Sequence, residues 1–340
     1  LRVARLYSID DIRVEEDVTP EVGAGEALVR THVCGICTGD IMGWYMERKA
    51  PLVFGHEPAG EVVSLGEGND DLAIGDRVFV HHHAPCGTCR HCQRGNYVHC
   101  KTWRNTGLRP GGMSEYFAVP RENLATDTLK LPDDVSYENA SLIEPVACVV
   151  KSLGRASVGK GDVVAVIGVG IMGQLHVALA AAAGARVIAI DRVPFRLERA
   201  KEIGADAAVN IDELDLRSAI ADLTDGAMAD VVIVGPGSVE AMRSGVDIAG
   251  AGSRVVLFTT GTPDAELTLS PFKLYFDEIS LIPSYSCGPE DTREALELIR
   301  NGTVPVDKLV THRFPLEQID RAMEAAADVN RALKTVIVFD

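Results

Sequence analysis

Up to about residue 150, apolar positions alternate with polar ones or fall in short β-branched runs: "EALVRTHV", "EPAGEVVSLG", "DRVFVHHH" and "EYFAVP". Turn-forming stretches such as "GEGND" and "RPGG" separate them. A period of two broken by glycine turns predicts strands, here in an irregular, partly barrel-like β domain. Beyond 150 the pattern changes. "GDVVAVIGVG", "ARVIAIDR", "ADVVIVGPG" and "SRVVLFTTG" are short apolar runs, and "IMGQLHVALAAAAG" and "PFRLERAKEIGAD" between them have helical composition. Strand–helix alternation predicts a parallel sheet covered on both faces, an α/β architecture. After Gly288, "EDTREALELIRNG" and "PLEQIDRAMEAAAD" read as helices, and "LVTHRF" and "LKTVIVFD" as strands. The pattern predicts an outer domain over 1–149, a middle domain over 150–287 inserted into it, and a return over 288–340.

Composition narrows the class. The chain has 340 residues, 46% of them hydrophobic, with 32 glycines, which suits a folded protein of two domains. A formal net charge of −16 argues against a broad nucleic-acid surface. No apolar stretch is long enough to span a membrane, and acidic residues interrupt the opening "LRVARLYSIDDIRV". A cytoplasmic location and a small-molecule partner, without nucleic acid or membrane, are therefore expected.

Four of the eight cysteines crowd into "PCGTCRHCQRGNYVHC": Cys86, Cys89, Cys92 and Cys100. In a reducing compartment a disulfide framework is disfavoured. The C-x2-C-x2-C-x7-C spacing suits four thiolates folding around Zn2+, with an iron–sulfur cluster as the other metal reading. Four sulfurs leave zinc no open position, so this lobe, 85–101, is expected to be structural and the chemistry to lie elsewhere.

Gly168, Gly170 and Gly173 stand in G-x-G-x-x-G spacing with Ile171 and Met172 between them, after a predicted strand and before a helix. In that context the turn fits a pyrophosphate, with the helix N-terminus facing its charge. Asp191 ends the next predicted strand, 23 residues after Gly168, where a carboxylate would bind ribose hydroxyls and repel a 2'-phosphate. NAD is therefore favoured over NADP, with the adjacent Arg192 working against strictness. The alternative is an ordinary βα turn with Asp191 as a helix cap.

A looser set of ligands remains: Cys37 in "CGICTGD", His56 and Glu57 in "FGHEPAG", and Glu144 in "LIEPVAC". Taken singly, each also reads as core, surface or cap. Together with "HVCGIC", "GHEPAGEVV", "GDRVFV", the cysteine lobe, "GGMSEYFAVP", "GVGIMG" and "LVTHRFPLEQIDRAME", they run in one order over essentially the whole chain. In this the chain resembles the zinc-dependent medium-chain dehydrogenases, and most of all the sorbitol (polyol) and threonine dehydrogenase branches. The resemblance implies a Rossmann coenzyme domain inserted into a GroES-like β-rich catalytic domain. It also implies two Zn2+ per chain, NAD, and a homodimer or homotetramer. A catalytic zinc would be held by Cys37, His56 and Glu57, with Glu144 at the fourth protein position, directly or through water. The structural zinc would sit on Cys86, Cys89, Cys92 and Cys100. The ion would acidify a secondary alcohol whose hydride passes to NAD. Three anionic ligands would leave the site at roughly −1 in formal charge.

One departure stands out. The family usually carries Ser or Thr two positions after the first ligand cysteine, as a proton relay; here that position is Gly39, and Thr38 is one residue early. Asp40 matches the family and is expected to orient a ligand such as His56, or to cap a turn. His81, His82 and His83 would alternate faces on a strand and could not all bind one ion, so they read as packing or surface residues, with one of them near the active-site cleft. Ser284 and Tyr285 read as subunit interface or local core. The rival functions are a simple-alcohol or NADP-preferring dehydrogenase and a non-catalytic nucleotide-binding protein of the same fold.

Overall fold

A computed structural model describes residues 1–69 and 71–340. The chain forms two compact units: 1–147 with 287–302 and 310–340, and 148–286 with 303–309.

In the second unit six parallel strands form one sheet: β1 (Val163–Ile167), β2 (Arg186–Asp191), β3 (Ala207–Asn210), β4 (Ala229–Val234), β5 (Ala249–Leu257) and β6 (Ser280–Pro283). Their spatial order is β3-β2-β1-β4-β5-β6. The order reverses beside β1, and an open sheet binds ligands at such a point, beyond the strands' carboxyl ends. The central strands are largely apolar because both faces are covered: Ala165, Ile188, Ile190, Val232, Val234 and Val255 are all fully or almost fully buried in one core. Among the described residues, no helix is long and apolar enough to cross a membrane.

The first unit is built on a seven-stranded sheet. Ala27–Gly35 lies between Lys334–Val338 and Glu57–Leu65, antiparallel to both. Its alternation Ala27, Val29, Thr31, Val33 sends one face into the interior, as a period of two requires. The expected strand "DRVFVHHH" stops at Val80, so the histidine triplet lies beyond its end. "PLEQIDRAMEAAAD" opens with a 3-10 turn, Leu316–Gln318, before the helix Ile319–Ala327.

Strand register positions the site. Gly35 pairs with Glu57 on one side and with Val336 on the other. The Ile36 amide donates to the Thr335 carbonyl at 3.0 Å. Cys37, His56, Glu57 and Lys334 therefore converge at one edge of the sheet although their sequence separation is large. Gly35 is required there, because a Cβ would overlap Glu57 Oε2 and come 2.8 Å from Lys334 Cε.

Candidate active site

Cys37, His56 and Glu57 place one ligand atom each within 4.8 Å of one another. Cys37 caps the 3-10 turn Thr38–Ile41: its sulfur accepts from the Gly39 amide at 3.3 Å, and Asp40 Oδ2 accepts from the Cys37 amide at 3.0 Å. Asp40 Oδ1 lies 3.6 Å from His56 Nδ1, so this buried carboxylate faces the imidazole. A carboxylate behind a histidine fixes the ring and its tautomer when the other nitrogen binds a metal. Thr38 begins the turn exposed, and Gly39 supplies an amide rather than a hydroxyl.

The electrostatics fit a cation. Burial pushes the Cys37 thiol up, although His56 works against this, and burial likewise pushes up the Asp40 carboxyl. Burial also opposes charge on His56, yet Asp40 and Cys37 hold its pKa well above the ordinary value. Without a metal such a cluster retains protons, and a dication would displace them. Glu57 is fully buried, and neither of its oxygens has a hydrogen bond. It pairs with Lys334, whose Nζ reaches Glu57 Oε2 and donates to the Ile36 carbonyl at 3.0 Å. Lys334 is 1% exposed. Its positive charge offsets the negative excess that three anionic ligands would leave. Sequence reasoning missed it; the signal was a lysine opening the otherwise apolar run "KTVIVF".

The structure does not group Glu144 with the first three ligands. A Glu144 oxygen lies within 4.8 Å of ring nitrogens of His81 and His82 instead. This corrects the expectation that the histidines would point to alternating faces: the strand ends at Val80, and the turn beyond it brings two of the three rings together. His82 also sits beside His56, with ring centroids 4.9 Å apart. His83 turns away, donating from Nδ1 to the Thr106 carbonyl at 2.8 Å and packing against Trp103.

The four lobe cysteines form a second cluster within 4.8 Å. None of the eight cysteines is in a disulfide. Cys86 and Cys89 lie 3.9 and 3.5 Å from Cys92, sulfur to sulfur. A tetrahedron with Zn–S bonds of 2.3 Å has edges of about 3.8 Å, so the spacing suits zinc. Hydrogen bonds from Thr88 and the Cys89 amide draw the Cys86 thiol down to about 5, while burial and neighbouring sulfurs push Cys92 up to about 12.

In the second unit the glycine turn joins β1 to the helix Ile171–Ala182, whose N-cap is Gly170. Gly168 has φ +80°, and a Cβ there would meet Pro236 at 2.7 Å. At Gly173 a Cβ would overlap the Gly168 carbonyl, so close packing demands glycine. Gly170 is different: the protein itself leaves room for a Cβ, with the Arg196 guanidinium 3.6 Å away. Its need is the approach of a ligand. Ile171 and Met172 occupy the first helical turn, whose amides have no intrahelical partner. Asp191 ends β2 with one carboxylate oxygen on the Val169 amide at 2.8 Å and the other on the Arg192 and Val193 amides. It ties the glycine turn to the end of β2, while the helix Pro194–Ile203 has Val193 at its N-cap and no side-chain cap. Arg192 is exposed, with Asp212 at 4.0 Å. Arg196, not singled out from the sequence, lies 4.0 Å from Asp191 beside the turn.

Comparison with known proteins decides the family. Residues 23–133 match the alcohol dehydrogenase GroES-like domain, and residues 170–301 match the zinc-binding dehydrogenase domain. A sorbitol dehydrogenase of Halalkalibacterium halodurans is 33% identical over 92% of this chain and 91% of its own. The chain belongs to the zinc-dependent medium-chain dehydrogenases. An L-threonine 3-dehydrogenase of Pyrococcus abyssi is 33% identical to this dehydrogenase over 95% of the chain and 92% of its own. Two solved structures superpose on it with TM-scores of 0.90. One, a proposed zinc-binding dehydrogenase of Sinorhizobium meliloti 1021 bound to NADP, is 29% identical and covers 99% of this chain and 98% of its own. The other, an alcohol dehydrogenase of E. coli CFT073 complexed with NADH, is 27% identical and covers 99% of both chains. This medium-chain dehydrogenase is an enzyme, an oxidoreductase of the zinc- and nicotinamide-dependent secondary-alcohol class. That relationship answers the non-catalytic reading.

Proposed function

We propose that this dehydrogenase oxidises a polyhydroxylated secondary alcohol (a sugar alcohol, sugar acid or cyclitol) or a 3-hydroxy amino acid to the ketone, with NAD as acceptor. The observation that carries the reading is the Cys37–His56–Glu57 cluster, half-buried at Cys37 and His56 and fully buried at Glu57, with Lys334 as counter-charge. Similarity over nine-tenths of the chain to a sorbitol and to a threonine dehydrogenase supports the substrate class. A zinc ion on Cys37, His56 and Glu57 would supply Lewis acidity toward a substrate hydroxyl. Asp40 holds the His56 ring, the Gly39 amide holds the Cys37 sulfur, and Lys334 pairs with the Glu57 carboxylate. With no hydroxyl at position 39, the proton leaves by another route, for which Thr38 and the adjacent His56–His82 pair are candidates. Gly168, Gly170, Gly173 and the amides of Ile171 and Met172 would receive the pyrophosphate, and Asp191 the ribose. Arg192 and Arg196 stand where a 2'-phosphate would need cations, so residual NADP use accompanies the NAD preference. Zinc on Cys86, Cys89, Cys92 and Cys100 would hold the lobe.

The subunit contact belongs to the same reading. β6 is an edge strand, and Phe272, Tyr275, Phe276 and Tyr285 near it are 60–77% exposed. Exposed aromatics beside an unpaired edge suit pairing with a second copy, which would give the dimer or the tetramer built from it.

The test is a panel of sugar alcohols, sugar acids, cyclitols, threonine, secondary diols and unbranched primary alcohols, each with NAD and NADP, followed by absorbance of the reduced nicotinamide. Fastest turnover is expected with one polyhydroxylated or amino-acid substrate and NAD. Preference for primary alcohols, or for NADP, would turn the reading to the simple-alcohol or NADP-preferring alternative.

A further inference from the structure

The histidines and cysteine behind Glu144 form a constellation that the proposed reaction does not use. His81 is fully buried, and its Nδ1 lies 2.7 Å from Asp127 Oδ2. Asp127 is itself fully buried and takes the Thr292 hydroxyl on its other oxygen. The Asn123 amide donates to the His81 carbonyl at 2.8 Å, so backbone and ring are both fixed. With Nδ1 committed to a carboxylate, Nε2 is the nitrogen left to bind outward, the arrangement that second-shell carboxylates give to metal-ligating histidines. That Nε2 lies 3.6 Å from Cys287 Sγ. Ring nitrogens of His81 and His82 and a Glu144 oxygen lie within 4.8 Å of one another, and Cys287 Sγ is within the same distance of Glu144. His82 Nδ1 is the unpartnered atom of this group, and a buried polar atom without a hydrogen bond calls for a partner beside these donors.

We propose that His81, His82 and Glu144, with Cys287 as fourth donor, form a third divalent-cation position beside the proposed catalytic one. Two imidazoles, a carboxylate and a thiolate suit zinc or cobalt(II) rather than magnesium or calcium. Ligation by neutral imidazole and thiolate releases protons. The position shares Glu144 with the proposed catalytic ion. A cation held there draws Glu144 away and leaves Cys37, His56 and Glu57 as a three-ligand set with an open place. The site stands on its own donors and rests on the dehydrogenase reading only through Glu144.

The test is cobalt(II) titration of the metal-stripped full chain, following bound equivalents and thiolate-to-cobalt charge-transfer absorbance. Three equivalents are expected in the wild type. Loss of one equivalent in Cys92→Ser and of another in Cys37→Ala assigns the first two and tests the dehydrogenase reading separately. His82→Asn is expected to keep those two and weaken the third at least tenfold. Cys287→Ser is expected to weaken the third and to remove its share of the charge-transfer band. The first two equivalents report folding in each variant. Saturation of the wild type at two equivalents overturns the proposal, as does a third equivalent indifferent to both His82→Asn and Cys287→Ser.

Discussion

The cysteine lobe and the Cys37 cluster are both thiol-bearing sites, and they differ in where their donors come from. The lobe takes four sulfurs from Cys86 to Cys100, one loop with short turns. Its donors carry their own spacing, and four sulfurs close the coordination. The Cys37 cluster takes one residue from the end of a strand, two from the start of its neighbour, and a counter-charge, Lys334, from a third strand near the C-terminus. Its charges are balanced only once the sheet has formed. A local, closed site serves stability; a site assembled across strands leaves a position for a substrate.

The sharpest way to break this comparison is to remove one sulfur from each. Cys37→Ala should abolish turnover, on the order of 10⁴-fold or about 5 kcal/mol of barrier, while the melting temperature stays close to wild type. Cys92→Ser should lose the lobe's metal and several degrees of melting temperature while retaining measurable turnover. Parallel loss of activity and stability in both variants would erase the distinction.

Lys334→Met sharpens the comparison further. Leaving Glu57 buried and unpaired should destabilise the metal-free protein by about 3–5 kcal/mol. A dication beside Glu57 compensates, so the zinc-loaded protein should lose less, and by linkage the variant should bind zinc more tightly. Melting curves with and without zinc check this, and equal losses in both forms would contradict it. The smallest effect is expected in the glycine turn, where Asp191→Ala should raise the KM for NAD about tenfold, with a smaller change for NADP. Equal changes for both nucleotides would assign Asp191 to holding the glycine turn alone.

What was legible in the sequence follows the same division. The lobe and the glycine turn could be read because each is a short run whose spacing carries the geometry. The parallel sheet could be read because its strands are apolar on both faces. Cys37, His56 and Glu57 needed the whole-chain resemblance, since nothing local says that register will join them. Lys334 was invisible because its meaning depends on facing Glu57 across Gly35. The histidine triplet was misread because alternation was assumed past Val80, where the strand ends. Arg196 was passed over because it lies one helical turn beyond Asp191 and reads as an ordinary surface cation.

The central claim is hydride transfer from a secondary alcohol carbon to NAD. It is tested most directly by offering zinc-loaded enzyme the best substrate of the panel deuterated at the carbinol carbon, then reading the reduced nucleotide by mass spectrometry. The account predicts one deuterium on the nicotinamide ring of the product and none with Cys37→Ala. Reduced nucleotide without deuterium, or label transfer undiminished in Cys37→Ala, would contradict it.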